Sequence, residues 1–155
     1  REGNFKSAAP LLQRAIGLNP EHIDSYDHLF FVLQRLDRYE EALGIADKGI
    51  AAAKSHLDRV PDNQDARLHL AMLQARMGLE ADAREQIEEA RRRAPKDGYT
   101  AFHASCAYAL LGEITLAMEL LILAQDRGFY IKSELVRNTD LDVLRGLPEF
   151  EELAR

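Results

Sequence analysis

The stretch 78–90, GLEADAREQIEEA, returns at 112–124 as GEITLAMELLILA, 34 residues further along the chain. Gly78 falls on Gly112, Ala83 on Ala117 and Ala90 on Ala124. The same interval carries Ala8 and Ala15 to Ala42 and Gly49, Gly3 to Asp37, Phe5 to Tyr39, and Pro61 to Pro95. Two helical turns take about 7.2 residues, so small residues seven apart share one helix face. A small residue there lets a second helix approach closely. A period of this length on helix–turn–helix units implies an array in which each unit buries its apolar face against its neighbours.

Turn signals divide the chain. Pro20, Pro61 and Pro95 stop helices, because proline lacks a donor and disfavours helix in the residue before it. Gly3, Gly78 and Gly112 permit tight turns, and Asp62 and Asp97 are placed to cap the helices that follow. Together they predict helices at 6–18, 22–36, 39–59, 64–77, 80–93, 98–111 and 114–127. Pro10 fits if its helix starts just upstream. Between Pro20 and Pro61 the interval widens to 41. The seven extra residues preserve the helical face and should lengthen that helix by about 10 Å. An inert protruding end is the favoured reading of the extension, ahead of a partner contact.

The 155 residues, 46% of them apolar, suit one domain with an extended core. A net charge of −6 argues against nucleic acid or an anionic membrane as the main partner. No apolar run is long enough to span a bilayer, and one cysteine excludes an internal disulfide. No signal peptide is visible; the compartment is unassigned, with the cytoplasm as the favoured default. With Gly3 read as a turn, the chain begins in the middle of a unit. It is therefore expected to be part of a longer protein, with a stripe of Ala8, Leu11, Leu12, Ala15 and Ile16 exposed.

Tyr26, Leu29, Tyr39, Ala42, Ala46 and Gly49 form one copy of a recurring pattern. A second runs through Arg67, Leu70, Ala71, Gly78, Ala83, Ile87, Ala90 and Pro95, and a third through Ala104, Gly112, Ala117, Leu121 and Ala124. This pattern resembles that of the tetratricopeptide repeat (TPR) family. The resemblance implies an all-α, right-handed α-solenoid over residues 1–129, with a half repeat at 3–22 and repeats at 23–63, 64–97 and 98–129. Residues 130–155 are similar to helical segments that close such arrays in bacterial proteins, on the strength of Asp140 to Arg145, Pro148 and Phe150. Phe30 departs from the family, which usually has Gly or Ala there. Its ring should either push the paired helices apart or be accommodated by Ala46 and Gly49.

In the family, the first helix of each unit lines a concave groove that holds a partner. The resemblance therefore implies a peptide-binding or protein-binding site at Asp27, Phe31, Arg35, Leu68, Met72, Arg76 and Phe102. Phe31, Met72 and Phe102 would be anchors, and Asp27, Arg35 and Arg76 would set orientation. The expected function is a non-catalytic scaffold for a protein or peptide, with a homo-oligomer as a further expectation. The alternatives are a groove filled by another part of the chain, or a regulatory, partner-recruiting end of a larger enzyme or transcription regulator. One TPR subclass clamps the C-terminal carboxylate of heat-shock chaperones with lysine, asparagine and arginine. Asp27, Phe31, His69, Tyr99 and His103 stand in those places, so that clamp is not expected.

His28, His69 and His103 occupy the same place in successive units, and Cys106 lies one turn after His103. His69, His103 and Cys106 have the ligand types for zinc or copper. Neighbouring helices stand about 8–10 Å apart, which strains convergence. Hydrogen bonding in the groove is preferred, and no metal, cofactor or catalytic residue is assigned.

Overall fold

The computed structural model describes residues 2–155, and every regular element among them is helical. In order these are α1 (Glu2–Leu18), α2 (Ile23–Arg35), α3 (Tyr39–Arg59), α4 (Gln64–Arg76), α5 (Glu80–Arg93), α6 (Gly98–Leu110), α7 (Ile114–Asp126) and α8 (Lys132–Arg137). A 3-10 segment at Thr139–Leu144 and α9 (Pro148–Ala154) follow. Helices adjacent in the chain pack as pairs: α2 with α3, α4 with α5, α6 with α7. Along one side α4 also touches both α2 and α6.

One turn geometry recurs between paired helices. Leu79 donates its backbone N–H to Gln74 and Gly78 to Ala75, while Glu113 donates to Tyr108 and Gly112 to Ala109. This nested pattern needs a residue in the left-handed region, and Gly78 and Gly112 supply it at φ 75°. Asp37 takes the equivalent place between α2 and α3 at φ 58°. Aspartate tolerates that region better than most residues bearing a Cβ, and its Oδ1 accepts the Tyr39 hydroxyl at 2.7 Å.

The small residues sit where helices meet. Ala42, Ala46, Ala83, Ala90, Ala117 and Ala124 are all buried. A Cβ on Gly49 would lie 2.7 Å from Tyr26 Cβ and 2.8 Å from Leu73 Cδ1. The room at Gly49 thus admits Tyr26 and Leu73. Phe30 is buried with its ring 5.7 Å from the Arg76 guanidinium, and α2 stays packed on α3. The N-terminal halves of α2 and α4 are tied down alike: Tyr26 donates its hydroxyl to the Pro20 carbonyl at 3.0 Å, and Arg67 donates Nη2 to the Pro61 carbonyl at 2.7 Å.

Three local expectations are corrected. α1 already runs from Glu2, so Gly3 lies in a helix and Pro10 is interior to it. Pro10 is on an exposed side, where water can serve the Lys6 carbonyl that lacks its helical donor. The cap of α4 is Asn63, whose Oδ1 accepts the Ala66 N–H at 3.0 Å; Asp62 instead pairs with Arg93. Asp97 does cap α6. The end of the 21-residue α3 is not an inert protrusion. Ala53 and Leu57 are buried in the core shared by α1 to α4, and His56 links Asn63 to Glu21.

α4 separates two apolar cores. Ala66, Leu70 and Leu73 join the core of α1 to α4, whereas Leu68, Ala71 and Met72 join that of the later helices. Residues 66–74 are consequently all buried. The second core continues into the C-terminal segment, where Leu135, Leu141, Leu144 and Phe150 are buried with residues of α6 and α7.

Candidate functional site

α2, α4 and α6 run side by side, and the face they share carries most of the ionisable groups of interest. At the centre Arg76 lies between two carboxylates. Its Nε donates to Asp27 Oδ1 and its Nη2 to Asp140 Oδ1, both at 2.7 Å. All three side chains are nearly shielded from solvent, at 10%, 3% and 13% exposure. Burial alone would lower the Arg76 pKa, but the charges of Asp27 and Asp140 outweigh it and hold the guanidinium protonated. Burial pushes the Asp140 carboxyl up, against the pull of Arg76. Beside this triad, Asn138 donates Nδ2 to Cys106 Sγ at 3.5 Å. Cys106 is fully buried, which drives its thiol pKa well up. Burial thus favours the neutral thiol over the thiolate.

Next to the triad lies a concavity of about 150 Å³, lined by Asp24, His28, His69, Tyr99 and His103 together with Asp27 and Asp140. The Tyr99 hydroxyl donates to Asp65 Oδ1 at 2.5 Å. His69 Nε2 faces Asp65 Oδ1 at 3.4 Å and Asp24 Oδ1 at 3.5 Å. His103 Nδ1 lies 3.1 Å from the Tyr99 carbonyl, to which it donates. Burial by itself would lower the His69 pKa, yet the adjacent Asp65 carboxylate and the charges of Asp24 and Asp27 raise it. Burial lowers that of His103. The His69 imidazole beside it, with the Tyr99 hydroxyl, holds the Asp65 carboxyl well below its ordinary range.

A second concavity, apolar and about 480 Å³, runs between α1 and α2. Phe5, Ala8, Leu11, Leu12, Phe31 and Val32 form its walls. Phe5 and Phe31 meet edge to face at 6.0 Å, and the Arg35 guanidinium sits 5.7 Å from the Phe5 ring.

The residues expected to share one groove surface are thus divided. Phe31 lines the α1–α2 trough, Arg35 sits beside it over the Phe5 ring, and both remain accessible. Leu68, Met72 and Phe102 are 0%, 1% and 1% exposed, and Phe102 stacks on Phe129 at 4.9 Å. Leu68, expected on the groove face, and Met72 and Phe102, expected as anchors, are thus buried: α4 and α6 are packed on both flanks, and the C-terminal segment covers α6. Arg76 pairs with both Asp27 and Asp140. Asp140 was missing from the expected site. Asp65 had a readable signal, since Tyr99 lies 34 residues on, one repeat away. Asp140 had none, because its partner is 64 residues distant in the chain. Among the described residues no helix is long and apolar enough to cross a membrane. The chain matches no family model and no curated protein.

Proposed function

We propose that the chain is a non-catalytic interaction scaffold of the TPR type, a right-handed array closed by residues 130–155, which receives a protein or peptide segment. The observation that supports this reading is the trough between α1 and α2. Its walls are almost wholly apolar, and Leu11 on its edge is 67% exposed. Covering a large apolar side chain fully is worth about 1.5–3 kcal/mol. Phe31 supplies an aromatic anchor and Arg35 a cation at the rim, a combination suited to the apolar face of an amphipathic helix carrying an acidic flank. The central concave surface is a poorer candidate, because Asn138 and Asp140 of the C-terminal segment already line it.

Amphipathic helical peptides selected against the chain from a displayed library test the reading. Phe31→Ala should weaken the selected binders by at least about tenfold. Leu43→Ala, at an exposed apolar position on α3, should leave them unchanged. Binders indifferent to both Phe31→Ala and Leu11→Ala would reject it.

A further inference from the structure

The concavity beside Arg76 draws residues from three helices: Asp24 from α2, His69 from α4, and Tyr99 and His103 from α6, with Asp65 of α4 adjoining it through Tyr99 and His69. One ligand atom from each of Asp65, His69 and His103 lies within 4.8 Å of the other two. His69 Nε2 stands 3.4 Å from Asp65 Oδ1 and 3.5 Å from Asp24 Oδ1. Both separations exceed an ordinary N–H···O hydrogen bond. They match the edge of a small coordination tetrahedron, since ligands about 2.0–2.1 Å from zinc stand roughly 3.3 Å from one another. The remaining nitrogen of His69, Nδ1, is buried without a hydrogen-bond partner.

We propose that His69, His103 and Asp65 bind a divalent transition-metal ion of the zinc class, with Asp24 as the fourth ligand. His103 and Asp65 already have the supports that such ligands need. His103 Nδ1 donates to the Tyr99 carbonyl, which leaves Nε2 with a free lone pair directed by that bond. Tyr99 donates its hydroxyl to Asp65 and fixes the carboxylate. Charge favours a cation. Asp24, Asp27, Asp65 and Asp140 border the region, and Arg76 is the cation paired with two of them. Mixed imidazole and carboxylate donors select zinc, cobalt or nickel over magnesium or calcium, which take oxygen donors. Cys106, which the sequence suggests as a ligand, lines the same concavity but is not in the cluster of ligand atoms, and its buried sulfur accepts from Asn138. A bound ion would cross-link α2, α4 and α6 on the side where Arg76 already bridges α2 to the C-terminal segment.

Metal-free protein titrated with zinc by calorimetry, and with cobalt by visible absorption, tests the proposal. One equivalent should bind, and the cobalt spectrum should show the bands of a four-coordinate nitrogen–oxygen site with no thiolate charge-transfer band. Tyr99→Phe should weaken binding about tenfold, and His103→Gln and Asp65→Asn should weaken it further. His56→Ala, outside the cluster, should bind as the wild type does. Circular dichroism checks that each variant is folded. Asp65 is exposed, so Asp65→Asn carries the test if His103→Gln unfolds. Absence of saturable binding, a thiolate band, or zinc binding unchanged by Asp65→Asn and His103→Gln (an adventitious surface site) would each overturn it.

Discussion

Arg76 in α4 donates to Asp140 at 2.7 Å, joining a helix of the array to a residue 64 positions later in the chain. With Asp27 on its other side, the guanidinium serves two buried carboxylates at once. Removing one member of a buried ion pair leaves an uncompensated charge and costs about 3–5 kcal/mol. Arg76→Met should therefore destabilise the fold by about that amount in urea denaturation. Arg76→Lys should recover only part, because an ammonium cannot present two fixed, divergent donors.

Two glycines of α3 should respond in opposite senses to alanine. At Gly49 a Cβ would collide with Tyr26 and Leu73. Such overpacking costs about 1–3 kcal/mol, so Gly49→Ala should lower the thermal midpoint. At Gly44 a Cβ meets nothing within 4 Å. Gly44→Ala should raise stability by about 0.5–1 kcal/mol through the lower entropy of the unfolded chain. Parallel melts of the two variants check both signs.

Asp37 holds the left-handed place that Gly78 and Gly112 hold elsewhere. A residue with a Cβ there costs roughly 1 kcal/mol more than glycine. Asp37→Gly should stabilise the fold, by less than that figure because the bond from Tyr39 is lost. Denaturant midpoints measured for Asp37→Gly and Asp37→Ala give the comparison, with alanine the least stable of the three.

Asp97 caps α6 by accepting the Thr100 hydroxyl at 2.7 Å and the Thr100 N–H at 2.8 Å. The hydroxyl bond, reinforced by backbone donors and opposed by slight burial, holds its carboxyl below the ordinary value. A carboxyl depressed on folding contributes stability above its unfolded pKa, about 3.9, and loses it as pH falls through the folded value. Asp97→Ala should cost about 1 kcal/mol at pH 7. The gap from the wild type should narrow below about pH 4, which denaturation at both pH values would reveal.

Helix positions were legible because their signals are local. Gly78 and Gly112 mark turns, Ala83, Ala90, Ala117 and Ala124 mark contact faces, and the expected ranges 39–59 and 80–93 coincide with α3 and α5. The Asn63 cap was missed by one residue, since Asp62 and Asn63 are both good caps and only backbone geometry chooses between them. The site was less legible. Leu68 and Met72 lie on a helix buried on two flanks, and an apolar residue facing a neighbouring core reads the same as one facing a partner. Phe31 and Arg35 are accessible because they flank the α1–α2 trough. The Asp27–Arg76–Asp140 link is a tertiary arrangement that no spacing encodes.

Hydrogen exchange of the C-terminal segment tests most directly the claim that this segment closes the concave side and is held there by Arg76. The account predicts slow exchange at Leu135, Asn138 and Asp140, whose N–H groups are all bonded. In Arg76→Gln, exchange across 135–145 should accelerate while α4 and α5 stay protected. Exchange of those amides at unstructured rates in the wild type, or rates in 135–145 untouched by Arg76→Gln, would contradict it.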